Sequence, residues 1–114
     1  MCIMAIVHIN KDNFKELVVD GDKPVFVDFF ATWCGPCKMQ GPILEQMSDE
    51  MNDKVIIGKI DIDECLEIAQ EYGILSVPTM ILFQKGAETA RAVGFRQKAQ
   101  LEDLINGKLD GKKE

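Results

Sequence analysis

The chain predicts an α/β fold: a mixed five-stranded sheet with helices on both faces, in the order βαβαβαββα. Three observations carry that prediction. Apolar runs of strand length alternate with stretches of helical spacing, which makes two crossovers and a parallel portion. One run, "PVFVDFFA", is apolar almost throughout, as a central strand covered on both faces must be. The last two runs flank a short glycine-bearing segment, the pattern of an antiparallel hairpin.

Each element follows from its residues. "AIVHI" is a short first strand, and Asn10 is placed to cap a helix whose Phe14, Leu17 and Val18 share one face. "PVFVDFFA" is the central strand. Met39, Ile43, Met47 and Met51 recur every four residues and mark a helix from about Cys34 to Met51, with Gly41-Pro42 expected to kink it. "KVIIGKIDI" is the third strand. Cys65, Ile68, Ala69 and Tyr72 then lie on one face of a short helix that Gly73 can end. "TMILF" and "TARAVGF" pair around "QKGAE", whose Gly86 suits the turn. Leu101, Leu104 and Ile105 belong to a final helix. Residues 1–108 read as one domain and 109–114 as a polar C-terminal tail, a size that can bury a core without disulfides or metal.

Composition narrows the function. With 46% hydrophobic and 28% charged residues the chain is ordinary for a globular protein. A net charge of −6 and no basic patch argue against nucleic acid or an anionic membrane as partner. No stretch reaches the roughly 20 apolar residues of a membrane span. "MCIMAIVHIN" is apolar but lacks a basic n-region, so the expected location is the cytoplasm. Permanent disulfides are rare there, and a close cysteine pair points to redox chemistry or a metal.

That pair is in "ATWCGPCKMQGP", where Cys34 and Cys37 are separated by Gly35 and Pro36. A zinc site needs two more ligands, but Cys2 and Cys65 stand alone and the one histidine, His8, lies in the first strand. No metal is expected. The redox reading has a mechanism. A strand ends and a helix begins at the pair, so Cys34 meets unpaired amides and the positive end of the helix dipole. A thiolate is stabilised there, and the thiolate is the species that attacks disulfides. Pro36 fits the first turn, where no N–H is required, and fixes the turn that brings Cys37 behind Cys34. Asp28 interrupts the buried run of the central strand, where an unpaired carboxylate is costly.

In these residues the chain resembles the thioredoxin family. "VDFFATWCGPCKMQGPIL", "KIDID", "YGILSVPTMILF", "KG" and "VGF" follow in order over nearly the whole length, and "WCGPC" resembles the general reductase branch. The resemblance implies the thioredoxin fold and a protein-disulfide reductase that contributes to cell redox homeostasis. Cys34 is then the nucleophile, on the exposed side of the pair, and Cys37 resolves the mixed disulfide. Asp28 is the proton acceptor for Cys37, and Lys59 modulates its pKa. Trp33 is a platform beside the pair, with Asp63 near its indole N–H. Pro78 is a cis-proline facing the disulfide and leaves the Val77 backbone free to pair with an extended client. Ser76, Gly94 and Phe95 complete the client-binding region. No cofactor is bound, and a separate thioredoxin reductase supplies electrons to a monomer. Phe30 stands where a second tryptophan is common, with an expected effect on fluorescence more than on chemistry. Cys65 is expected to be inert packing and Cys2 incidental. Two alternatives are a binding subunit that uses the groove without the thiols, and a disulfide oxidase or isomerase.

Overall fold

The computed structural model describes residues 6–109. Five strands form one sheet: β1 (Val7–His8), β2 (Val25–Phe30), β3 (Ile56–Asp61), β4 (Thr79–Gln84) and β5 (Ala87–Val93). Their order is β1-β3-β2-β4-β5. β1 and β2 each pair with β3 in parallel, while β2–β4 and β4–β5 are antiparallel. The helices are α1 (Gly35–Met51), α2 (Leu66–Glu71) and α3 (Lys98–Leu109). The expected mixed sheet and element order are present.

Alternation along β2 sorts the core. Val25, Val27 and Phe29 enter a cluster with Phe14, Val18, Ile68 and Phe83 on one face. Phe26 enters the other, with Leu44, Met47, Leu101 and Ile105 of α1 and α3. The same two-residue period turns Asp28 and its parallel neighbour Lys59 toward the face that α1 covers. The Phe14, Tyr72 and Phe83 rings meet at centroid distances of 5.2 to 6.1 Å and bind the opposite face together.

Two details differ from the sequence reading. The first helix is a single π-turn, Lys15–Val19, closed by the Asp20 N–H donating to the Lys15 carbonyl at 2.8 Å. Asn10 caps the preceding turn as expected, its Oδ1 accepting from the Asp12 and Asn13 amides. The wider turn still sends Phe14 and Val18 into the core, which is what their spacing encodes. On α1, Met39 is 61% exposed, and the inward face is Cys37, Gln40, Leu44, Met47, Ser48 and Met51. Steps of four residues drift about 40° each against a 3.6-residue turn, so a stripe anchored at Met51 has left the core by Met39. The helix continues through Pro42 as one element. α3 runs to Leu109, which packs against the core. Residues 110–114 and Cys2 lie outside the described residues.

The hairpin turn has positive φ at both Lys85 and Gly86 (53° and 83°), the handedness that matches twisted strands. A Cβ at Gly86 would meet the Val19 carbonyl oxygen at 2.8 Å, so this turn packs on the π-turn and needs glycine twice over.

Candidate active site

The site lies where β2 gives way to α1. The Cys34 N–H donates to the Ala31 carbonyl at 3.2 Å, turning the chain, and Cys34 takes the extended N-cap conformation (φ −92°, ψ 117°). Its Sγ accepts from the Cys37 N–H at 3.1 Å, occupying the place a serine or threonine oxygen takes in an ordinary cap. Cys34 and Cys37 form a disulfide with Cα atoms 5.3 Å apart. Pro36 lies in the first turn of α1, and a side chain at Gly35 would project into open space.

Both cysteines are buried, Cys34 at 4% and Cys37 at 6% exposure, so exposure does not separate them as expected. Position does. Cys34 lines a groove of about 330 Å³ with Trp33, Ile62, Ile74, Leu75, Ser76 and Val77. Its Sγ is 3.6 Å from the Val77 carbonyl oxygen. The Val77–Pro78 peptide is cis, as the resemblance implied. The Trp33 indole N–H donates to Asp63 Oδ2 at 2.9 Å, again as implied, and holds an otherwise exposed ring at the rim.

Cys37 opens the other way. It lines a separate pocket of about 370 Å³ with Phe30, Lys38, Pro42, Glu45 and Lys59. Asp28 lies beneath the same face, 3% exposed, and its Oδ1 has no hydrogen-bond partner among the described residues. Burial pushes its carboxyl up to about 7, against a smaller downward pull from the Lys59 charge. A carboxyl with that affinity can hold or release a proton near neutral pH. The Lys59 ammonium sits 4.6 Å from the centre of the Phe30 ring. Phe30 thus has an electrostatic contact.

Of the remaining residues singled out, Gly94 (φ 92°) donates its N–H to the Pro78 carbonyl at 2.8 Å, which needs its left-handed backbone. Ser76 lines the groove and its carbonyl accepts from the Thr79 hydroxyl at 2.8 Å. Phe95 lines neither cavity and lies beyond Gly94. Cys65 is a free, buried cysteine in the core, its thiol pushed up by burial, which fits packing. No group of three or more metal-binding side chains occurs among the described residues.

Sequence reasoning missed Leu75, 97% exposed at the groove, because one leucine between Ile74 and Ser76 carries no pattern. It also missed Gln40, fully buried three residues after Cys37. Here a signal existed: a polar side chain on the helix face that carries Cys37, Leu44 and Met47.

The sequence model of the Thioredoxin family matches residues 5–107. A thioredoxin of Bacillus subtilis is 43% identical over 106 residues, covering 93% of this chain and all of its own length. One from Alicyclobacillus acidocaldarius is 43% identical over 98 residues, covering 86% of this chain and 92% of its own. A bifunctional thioredoxin reductase/thioredoxin of Mycobacterium leprae is 44% identical over 95 residues, which are 83% of this chain and 21% of that protein.

Proposed function

From the premise that the chain belongs to the thioredoxin family and carries its dithiol–disulfide redox function, we propose a division of labour within the cysteine pair. Cys34 is the attacking sulfur and Cys37 the resolving one. The observation that carries this is the Cys34 Sγ in the N-cap position of α1, receiving the Cys37 N–H and facing the groove. In the reduced pair that position stabilises a thiolate through the amides and the helix dipole.

The Cys34 thiolate attacks one sulfur of a client disulfide, forming a Cys34–client bond and releasing the other client sulfur as thiolate. Cys37, deprotonated, then attacks Cys34 Sγ. The Cys34–Cys37 bond forms, the second client sulfur leaves, and two electrons have passed to the client. Asp28, with a carboxyl poised near neutrality, accepts the Cys37 proton, and Lys59 tunes its affinity. Trp33, Ser76 and Val77 receive an extended client segment, whose backbone pairs with Val77.

The pair must be reduced again for a second turnover. The Mycobacterium leprae relative joins a thioredoxin reductase to a thioredoxin in one chain, which supports a separate thioredoxin reductase as the electron source here. We propose further that the chain holds no cofactor, acts as a cytoplasmic monomer and needs neither nucleic acid nor membrane. No helix among the described residues is long and apolar enough to cross a membrane. Reduction of insulin disulfides by the dithiol-loaded chain tests the reading, with Cys34→Ser beside it. Turnover is expected from the unsubstituted chain only, and equal turnover by Cys34→Ser would overturn the assignment.

A further inference from the structure

Gln40 has no part in the chemistry above, yet it is fully buried on the inward face of α1, one turn after Cys37. Its Nε2 donates to the Arg96 carbonyl at 3.0 Å and its Oε1 accepts from the Arg96 N–H at 2.9 Å. One side chain thus brackets both backbone groups of one residue, as a neighbouring strand would. Two residues back, the Gly94 N–H donates to the Pro78 carbonyl at 2.8 Å. The Val77 carbonyl lies 3.6 Å from Cys34 Sγ. These contacts close a ring: from Cys37 along α1 to Gln40, across to Arg96, back through Gly94 to Pro78 and Val77, and so to Cys34.

Core filling does not account for a glutamine there. Leucine or methionine would occupy the space without removing an amide from water, and the same helix face uses Leu44, Met47 and Met51. A buried amide is tolerated when both its halves are paired, and here both are spent on a single backbone position. The pairing fixes where the chain leaving β5 sits relative to the helix that bears the cysteines.

We propose that Gln40 is a positioning residue: through Arg96 and Gly94 it holds the Val77–Pro78 segment in register with Cys34, so that a client paired with Val77 presents its sulfur correctly. The proposal rests on the reading that Val77 pairs with an extended client. A client docked along the segment feels a shift of Val77, whereas a small disulfide that meets only the sulfur does not.

The test is Gln40→Met, which keeps the length and loses both hydrogen bonds. The expected result is a fall of about tenfold in kcat/KM for insulin, with the rate toward oxidised glutathione unchanged. An unchanged kcat/KM for insulin, or an equal loss toward insulin and glutathione, overturns the proposal. If the variant does not fold, amide exchange in the unsubstituted chain decides. Arg96 and Gly94 amides protected together, opening as one unit, support the ring, and a freely exchanging Arg96 amide breaks it. An unsubstituted chain that reduces neither disulfide overturns the reductase reading itself.

Discussion

On the Cys34 side of the bridge the wall is apolar, built by Trp33, Ile62, Ile74, Leu75 and Val77. On the Cys37 side it is charged: Lys38, Glu45 and Lys59 line the pocket, and the Asp28 carboxyl lies under the same sheet face. The two sulfurs are bonded to each other and nearly equally buried, yet they look into different media. An apolar groove with a backbone carbonyl beside the sulfur suits recognition of a peptide. A buried carboxyl near its midpoint suits the movement of a proton. One strand-to-helix junction separates the two tasks because the first turn of α1 places residues i and i+3 around its end.

Breaking the comparison outright requires removing either sulfur. Cys34→Ser abolishes turnover, and Cys37→Ser leaves clients trapped as mixed disulfides on Cys34, detectable by non-reducing electrophoresis. Equal trapping by both variants would make the two sides interchangeable.

Asp28→Asn acts on the charged side alone. Loss of a positioned proton acceptor is expected to slow resolution by about 10²-fold while leaving the first attack unchanged, read by stopped-flow. Stability moves the other way. Because the folded carboxyl titrates at about 7 and an ordinary solvent-exposed one at 3.8, the folded state holds a proton that the unfolded chain has lost between those values. The contribution of Asp28 to stability therefore falls as pH rises from about 4 to 7, by about 4 kcal/mol at 1.36 kcal/mol per unit, and is level above. Asp28→Asn removes that fall. Denaturant midpoints of both proteins across the interval check it, and parallel curves would contradict the burial of Asp28.

Lys59→Met sharpens the comparison more gently. The Lys59 charge pulls the Asp28 carboxyl down, so its removal raises the Asp28 pKa further, and the carbon-13 shift of the carboxyl against pH reads the change. Smallest is Trp33→Phe on the apolar side. A smaller aromatic ring remains and one exposed hydrogen bond to Asp63 is lost, so stability changes by about 1 kcal/mol or less, measured by thermal unfolding.

The strands, their succession along the chain and the cysteine turn were legible because they rest on local signals: a run that is apolar on both faces, Gly86 in a turn, and proline in a first helical turn. Asp28 was legible for the opposite reason, as one charge in a strand that cannot afford it. The rest depends on what meets across the fold. Met39 and Met47 look alike in a four-residue repeat, and only the neighbouring sheet and α3 decide which is inside. Gln40 broke the apolar stripe, but its partner is 56 residues away and is a backbone position, to which side-chain patterning is blind. Lys59 resting on Phe30 is equally non-local, set by the parallel register of β2 and β3.

The register slip in β5 has a consequence for how copies of the chain meet one another. Between Leu82 and Phe83 the partner changes from Ala90 to Glu88, leaving Thr89 as an extra residue. Its hydroxyl donates to Gln84 Oε1 at 2.7 Å, within the hairpin. A bulge on an edge strand interrupts the even spacing of outward amides and carbonyls that an incoming strand would need. Beside it, Arg91 and Glu88 pair at 2.7 Å and set charge along that flank. At the far edge β1 offers only two residues. Among the described residues, neither edge offers a long, regular template for adding strands into a filament. The apolar groove at the cysteines can thus stay open to extended peptides while the sheet's own flanks discourage them.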